Sequence, residues 1–368
     1  MFLEKINLIN FRNLEDVLLD LNPNLNIFIG NNGQGKTNLL ESIYFMGTAS
    51  SHRTTTDKEM INWKKNKSII QCLLNKRDHS LKLLIALEGS NKKVEINNNP
   101  LEKVSELIGN LNVVLFSPED LYLVKGGPSY RREFLNIEVS QVNTYYHYLL
   151  NDYRHILKQR NNYLKDIRDH RKKNYDILNI WDEKLIELGS KIIKKRLEVI
   201  DKLKILARLS QRKITNGSEN LLIEYESNLS NNISKIDNIK LIFREVLANN
   251  RKNEIKRGYT LFGPHRDDLK LTINGIDLRK YGSQGQQRTT ALALKMAELE
   301  FMKSESGEYP ILLLDDVFSE LDAERRDTLL NLIAEKVQTF ITTTDINVLG
   351  KLKYSNYKIF EVKKGFIR

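Results

Sequence analysis

Cysteine is all but missing from this 368-residue chain: the one thiol, Cys72, can close no internal disulfide, which points to a reducing compartment and excludes a cysteine-held metal. Histidine is nearly as scarce. His52, His79, His147, His155, His170 and His265 are scattered without ligand spacing, so a structural zinc is not expected. No apolar run reaches membrane-spanning length. The opening MFLEKINLINF carries Glu4 and Lys5 and has no long apolar core, unlike a secretory leader. These absences lead to the expectation of a soluble, cytoplasmic protein with no membrane partner. Positive charge is what the chain has in excess: 58 Lys plus Arg against 47 Asp plus Glu give a net +11 and a pI near 9.3. That balance suits a polyanionic partner, although a Lys-rich solvated surface would produce it too.

The most informative stretch is LNIFIGNNGQGKTNLL, Leu25 to Leu40. A β-rich run leads into Gly30, Asn31, Asn32, Gly33, Gln34, Gly35, Lys36 and Thr37, and a helical segment with Asn38 and Glu41 follows. Three glycines let successive amides converge on one centre, and the next helix adds its positive end, so a polyphosphate fits there. Lys36 would reach the β- and γ-phosphates, and Thr37 would place its hydroxyl on Mg2+. The expected ligand is a nucleoside triphosphate.

Phe2 to Phe11 and Val17 to Leu21 read as an antiparallel strand pair that would share a sheet with Ile27 to Ile29. The polar SHRTTT from Ser51 either lines the nucleotide through Arg53 or is an ordinary turn. Strands are expected at Ser68 to Leu74, Ser80 to Leu87, Lys93 to Asn97 and Val113 to Phe116, and Gly126, Gly127 and Pro128 make a sharp break. Two long helices, Val142 to Ile167 and Trp181 to Leu206, read as an antiparallel arm, followed by a third over Ile233 to Asn249. Between Gln141 and Asn216 there are 18 basic and 9 acidic residues. The cluster Arg171, Lys172, Lys173, Lys194, Lys195 and Arg196 suits contact with a phosphate backbone, the alternative being a solvated face with i,i+4 ion pairs. Tyr259 to Asp268 reads as a strand and turn, and Asn274-Gly275 as the tip of a hairpin.

Ser283, Gly285 and Gln286 stand before an Ala/Leu-rich helix, a second anion-binding end. Tyr309 to Phe318 is a buried parallel strand ending in Asp315, placed to hold Mg2+, and Asp316, able to polarise the attacking water. A tight turn, Ser319 to Asp322, a helix over Ala323 to Lys336 and a strand over Val337 to Thr342 complete the pattern.

In this order, GNNGQGKTN, SHRT, FSPED, GGPSYRREFL, FGPHRDDL, GSQGQQRT and LLLDDVFSELD, with NFRN before them, resemble the ATP-binding cassette group of DNA-repair and chromosome ATPases, and within it the bacterial RecF family over essentially the whole chain. The resemblance implies an α/β fold: a cassette-type P-loop ATPase head of mixed sheets with flanking helices and an inserted α-helical lobe. The head would occupy 1–126 and 253–368, the helical lobe 127–252. It also implies a Walker A loop at Gly30 to Thr37, a signature at Ser283 to Gln286, a Walker B pair at Asp315 and Asp316, and a D-loop at Ser319 to Asp322. Lys36 and Asp316 would be the catalytic groups, in a slow ATPase that acts as a switch. In such families the signature of one subunit closes over ATP on the other, so ATP would hold a homodimer together. The dimer would bind DNA at gaps and, with RecR and RecO, help place RecA during repair and the SOS response. Asp316 replaces the usual Glu, Thr343 or Thr344 stands near the usual switch His, and Glu119 or Asp120 near the Q-loop Gln. A transporter's nucleotide-binding subunit is the alternative. Roughly 75 arm residues are too few for the coiled coil of a chromosome-organising ATPase, since a helix rises only ~1.5 Å per residue. A phosphotransferase would leave Ser283 to Gln286 without a purpose.

Overall fold

The computed structural model describes residues 1–171, 175–231, 233, 238–319, 321–333, 336–346 and 356–368. Two compact units divide the chain: one of Met1–Asp120 with Lys295–Arg368, the other of Leu121–Leu294. The divisions therefore fall at 120/121 and 294/295, against 126/127 and 252/253 anticipated from sequence.

The first unit opens with an antiparallel sheet. β1 (Phe2–Phe11) pairs with β2 (Leu14–Asp20) across a turn in which Arg12 has φ 54°. β3 (Leu25–Ile29) then departs and leads through the glycine loop into α1 (Lys36–Thr48). The sheet resumes with β4 (Lys67–Asn75), β5 (Ser80–Glu88), β6 (Asn91–Ile96) and β7 (Asn99–Pro100), in the order β2-β1-β4-β5-β6-β7. Its strands alternate: Ile70, Cys72 and Leu74 on β4, and Leu83, Ile85 and Leu87 on β5, are buried while their neighbours are not. β3 does not belong to it, contrary to the sequence expectation. Leu25, Asn26, Ile27 and Phe28 are all buried, which requires a sheet covered on both faces. β8 (Val113–Phe116) is of that second kind.

The second unit holds α2 (Leu121–Lys125), α3 (Pro128–Val142), α4 (Thr144–Arg168), α5 (Asp176–Ile214), β9 (Leu221–Glu226), α6 (Ile239–Arg257), β10 (Asp268–Ile273), β11 (Ile276–Asp277) and α7 (Leu278–Tyr281). α8 (Gln284–Ser306) starts there and ends in the first unit. Helices α4 and α5 are antiparallel, because Arg160 late in α4 meets Asp182 early in α5, and Tyr146 early in α4 meets Arg196 further along α5. The hairpin at Asn274-Gly275 forms, both residues having positive φ (49° and 84°). β9 was not anticipated, although LLIEYE alternates; of the third helix expected over Ile233 to Asn249, residues 234–237 lie outside the described residues.

Two expectations fail in this unit. Tyr259 to Phe262 is not a strand. Its backbone is held by polar side chains where a ladder would be: the Thr260 N–H donates to Asn161 Oδ1 (2.8 Å), Leu261 N–H to Glu254 Oε1 (2.7 Å), and Gly263 N–H to Asn228 Oδ1 (3.0 Å). Nor is the basic cluster a single exposed surface. Arg196 is buried, donating to Tyr146 Oη, Asn136 Oδ1 and the Pro264 carbonyl. Lys195 pairs with Glu198 (3.3 Å), Arg171 lies near Asp166 and Asp169, and Lys172 and Lys173 lie outside the described residues. Lys194 stays exposed.

Back in the first unit, β12 (Ile311–Asp315), β13 (Thr339–Thr343), β14 (Tyr357–Lys363) and β15 (Phe366–Ile367) complete the second sheet, ordered β15-β14-β3-β13-β12-β8, and α9 (Ala323–Ile333) connects β12 to β13. All its pairings are parallel except β14 with β15. Leu39, Ile43 and Phe45 of α1 share one core with inward residues of both sheets, Phe28 stacking on Phe360 at 4.9 Å between centroids.

Arg160 is fully buried between Asp182 (2.7 Å) and Glu254 (2.6 Å). Removing it leaves the buried Glu254 carboxylate without its cation, while Asp182 keeps Arg251 (2.7 Å). Arg160→Ala is expected to lower stability by about 3–5 kcal/mol, read as an earlier thermal transition of the second unit; an unmoved transition contradicts this.

Candidate nucleotide-binding site

The turn from β3 into α1 has the shape its sequence anticipates. Gly30 donates its N–H to the Thr343 carbonyl (3.3 Å), and a Cβ there would run into the carbonyl of Val362. Gly33 and Gly35 have φ of 76° and 118°, where other L residues rarely settle. Asn31, Asn32 and Gly33 are exposed at the lip. Lys36 folds back so that Nζ donates to the carbonyls of Gly30 (2.5 Å) and Asn31 (2.9 Å). Partial burial lowers its pKa from the ordinary value, against the raising effect of the Asp316 and Asp315 carboxylates. Gln34 faces the other way: its side-chain oxygen accepts the Lys364 N–H (2.7 Å), and its carbonyl accepts the Gly365 N–H (3.0 Å) and Asn13 Nδ2 (3.1 Å). The loop is thus clamped from behind by the β14–β15 and β1–β2 turns.

Parallel pairing brings β12 and β13 beside β3, so their C-terminal ends meet the loop. Thr37 Oγ1 donates to Asp315 Oδ1 (3.0 Å), and Thr342 Oγ1 donates to the same oxygen (2.7 Å). The Asp316 N–H donates to Thr342 Oγ1 (3.0 Å), and Asp316 itself has φ 53°. A non-glycine residue in that region is uncommon and is held only where its surroundings fix it. Of Thr342, Thr343 and Thr344 at the end of β13, then, Thr342 is the one bonded to the Asp315 carboxylate. Thr343 donates to the Asp345 carbonyl (2.9 Å) and Thr344 is exposed. Glu320 of the anticipated D-loop lies outside the described residues; Asp322 accepts the Arg325 N–H (2.9 Å).

Beside the loop, Arg53 reaches Asn38 Oδ1 (2.7 Å) and Glu41 Oε2 (3.3 Å), and Asn38 Nδ2 donates to Asn13 Oδ1 (2.7 Å). Glu41 is the centre of this cluster. Fully buried, it accepts two bonds from Arg12 (3.0 and 2.6 Å) and one from Ser51 (2.5 Å). Burial pushes its carboxyl pKa up, but those bonds and the charges of Arg12 and Arg53 outweigh it and hold the carboxyl below its usual range. Neither Arg12 nor Glu41 was singled out from sequence; an acid among the apolar residues of α1 was the available signal. Asp120 accepts the Ser117 N–H (2.7 Å) and lies 4.0 Å from Lys295, and burial raises its pKa to about 6; Glu119 is exposed.

Ser283 and Gln286 lie in the second unit, at the start of α8. The Gln286 N–H donates to Ser283 Oγ (3.2 Å) while the Ser283 N–H donates to Gln286 Oε1 (3.1 Å). This is a reciprocal capping box. Ser283 is exposed and Gly285 half-buried.

Among the described residues no group of three or more His, Cys, Asp or Glu could cage a metal. The Thr37 hydroxyl with the single Asp315 carboxylate fits Mg2+, which keeps waters and takes its other ligands from phosphate. The cradle of Gly30, Gly33, Gly35 and Lys36 fits a triphosphate.

The family model described as RecF/RecN/SMC N terminal domain matches residues 2–368. The chain is 59% identical to the DNA replication and repair protein RecF of Halothermothrix orenii, over all of this chain and 98% of that one. It is 47% identical to the protein of that name from Alkaliphilus oremlandii, over the whole of both. Its fold is similar to a structure of the recombination mediator protein RecF with ATP in the RecFOR pathway, with TM-score 0.91, 36% identity, and all of this chain and 97% of that one covered. The Smc head domain of Pyrococcus furiosus, at 15% identity, shares the fold, with TM-score 0.57 over all of this chain and 95% of that one.

Because the Glu41 pKa is depressed in the folded state, its stabilisation is complete above the ordinary carboxyl value and is lost as pH falls through the lower one. Thermal melts between about pH 5 and about pH 3 should therefore fall less steeply in Glu41→Gln than in the parent chain. Parallel slopes would contradict this.

Proposed function

The chain belongs to the RecF/RecN/SMC N-terminal domain family, and within it to the RecF proteins, and from that premise we propose that it is an ATP-switched DNA-binding protein of recombinational repair. The observation that carries the proposal is the meeting of Thr37, Asp315 and Thr342 beside a complete phosphate loop. The amides of Gly30 to Thr37 would cradle the phosphates, with Lys36 turning from its own loop carbonyls onto the β- and γ-phosphates. Mg2+, when bound, would supply positive charge that offsets the charge of the phosphates. Thr37 and Asp315 are the residues to hold it. Asp316 orients and polarises the attacking water, and its side chain, one methylene shorter than Glu, reaches less far, which suits slow hydrolysis. Arg53 and Asn38 flank the nucleotide from the Glu41 cluster.

The signature Ser283, Gly285 and Gln286 would complete this pocket in a second copy of the chain, so ATP binding closes a homodimer. The positive α8 end and the Ser283 hydroxyl, whose oxygen accepts the Gln286 N–H and whose O–H donates to none of the described residues, suit a γ-phosphate. The closed dimer would bind DNA at gaps between single- and double-stranded segments, drawing on the chain's net +11, and would act with RecR and RecO in placing RecA. Exposed Lys194 is one phosphate-contacting candidate that the arm retains. The transporter alternative is not favoured, because the family match spans the chain. Among the described residues no helix is long and apolar enough to cross a membrane.

Lys36→Ala should abolish ATP-induced dimerisation in sedimentation velocity, and retained dimers would count against the proposal. Ser283→Arg should block dimerisation while leaving nucleotide affinity of the monomer within about twofold, since Ser283 is exposed and the change adds bulk only at the trans edge. Affinity for gapped DNA should fall at least about tenfold between about 50 and about 200 mM salt; a flat response would remove the phosphate-contact claim.

A further inference from the structure

The turn that carries Ser283 is not held by its own helix alone. Gln286 uses its side-chain oxygen on the Ser283 N–H (3.1 Å) and its Nε2 on Glu219 Oε1 (3.1 Å). The other carboxylate oxygen of Glu219 accepts from Gln211 Nε2 (2.7 Å). Gln211 lies in the last turn of α5, fully buried, and its own Oε1 is buried with no hydrogen-bond partner among the described residues. Leaving a buried amide oxygen unpaired costs stability, so the bond from Gln211 Nε2 to Glu219 is what sets this amide's orientation.

The loop between them is shaped for this purpose. Thr215, which caps α5, donates Oγ1 to the Gln211 carbonyl (2.8 Å) and accepts the Glu219 N–H (3.3 Å). The Gly217 N–H returns to the Arg212 carbonyl (2.7 Å), with φ 83° at Gly217. Four residues after Thr215, Glu219 is thereby delivered between the end of α5 and the start of α8. All of these contacts lie within the second unit.

We propose that Glu219, anchored by Gln211, is a positioning residue for the signature turn: through Gln286 it fixes the backbone at Ser283 so that this hydroxyl meets the nucleotide bound by a second copy. This rests on the reading of Ser283 as the residue that closes the site in trans. Glu219 does not touch the nucleotide. A bridging carboxylate with a donor on each side holds both amides in one orientation, and a charged acceptor makes each bond stronger than a neutral one. Because Gln211 belongs to the long helix α5, any shift of that helix's last turn reaches Ser283 through three side chains.

The test compares Glu219→Ala, Glu219→Gln and the exchange Glu219→Gln with Gln211→Glu, which leaves Gln286 untouched, by sedimentation velocity with ATP and Mg2+ and by titration of a fluorescent ATP analogue onto the monomer. Both single variants should raise the protein concentration for half-maximal dimerisation about tenfold, the scale of one lost charge-assisted bond, with monomer nucleotide affinity unchanged. The exchange restores one donor facing one acceptor and should recover dimerisation to within about threefold of the parent. A fold defect would lower the melting temperature of all three alike, whereas recovery in the exchange belongs to positioning alone. Single variants that dimerise at the parental concentration, or an exchange that recovers nothing, overturn the proposal. A parent chain that fails to dimerise with ATP overturns the trans reading instead.

Discussion

Asp315 accepts hydrogen bonds from two hydroxyls, Thr37 and Thr342, and the rest of the nucleotide site is arranged around that oxygen. Thr37 and Asp315 are 278 positions apart in the chain. Only parallel pairing of β3, β13 and β12 puts their strand ends side by side. That pairing needs strands that are apolar on both faces, so the burial of Ile27, Phe28, Leu313 and Ile341 is what brings the carboxylate to the loop. The antiparallel sheet has a different task. It covers one side of α1 and supplies, from the β1–β2 turn, Arg12 and Asn13, which hold the flank and back of the loop.

In the second unit, charge is turned inward. Arg160 and Arg196 are buried and held by acids, phenols and carbonyls, so they act as internal cross-links between helices and loops rather than as surface for DNA. Replacing one partner of such a pair is costly because the other is left charged and dry. The polar staples at Asn161, Glu254 and Asn228 use the same device to hold a segment that forms no sheet. The helix start at Ser283 is held in a related way, by amides and a carboxylate.

Local chemistry was legible in the sequence, and long-range partnership was less so. The glycine loop, the Asn-Gly hairpin, the acidic strand end and the alternating β4 and β5 each announce themselves within ten residues, because backbone demands and period-2 burial are local. The assignment of β3 to the wrong sheet, the strand and turn expected over Tyr259 to Asp268 and the solvent placement of Arg196 share one cause. Each depends on what lies opposite in space, and neither alternation nor charge density reveals that Thr260 meets Asn161, 99 positions away. The Thr342 contact follows the same rule: three threonines in a row all suit a strand end, and only the register with Asp315 selects one.

The central claim is that the triphosphate pocket is shared between two copies. Mixing a Lys36→Ala chain, which keeps its signature turn, with a Ser283→Arg chain, which keeps its phosphate loop, should rebuild one complete site per pair. Sedimentation with ATP and Mg2+ should then reveal a dimer in the mixture that neither variant forms alone. A mixture that stays monomeric at concentrations where the parent chain is fully dimeric would contradict the account.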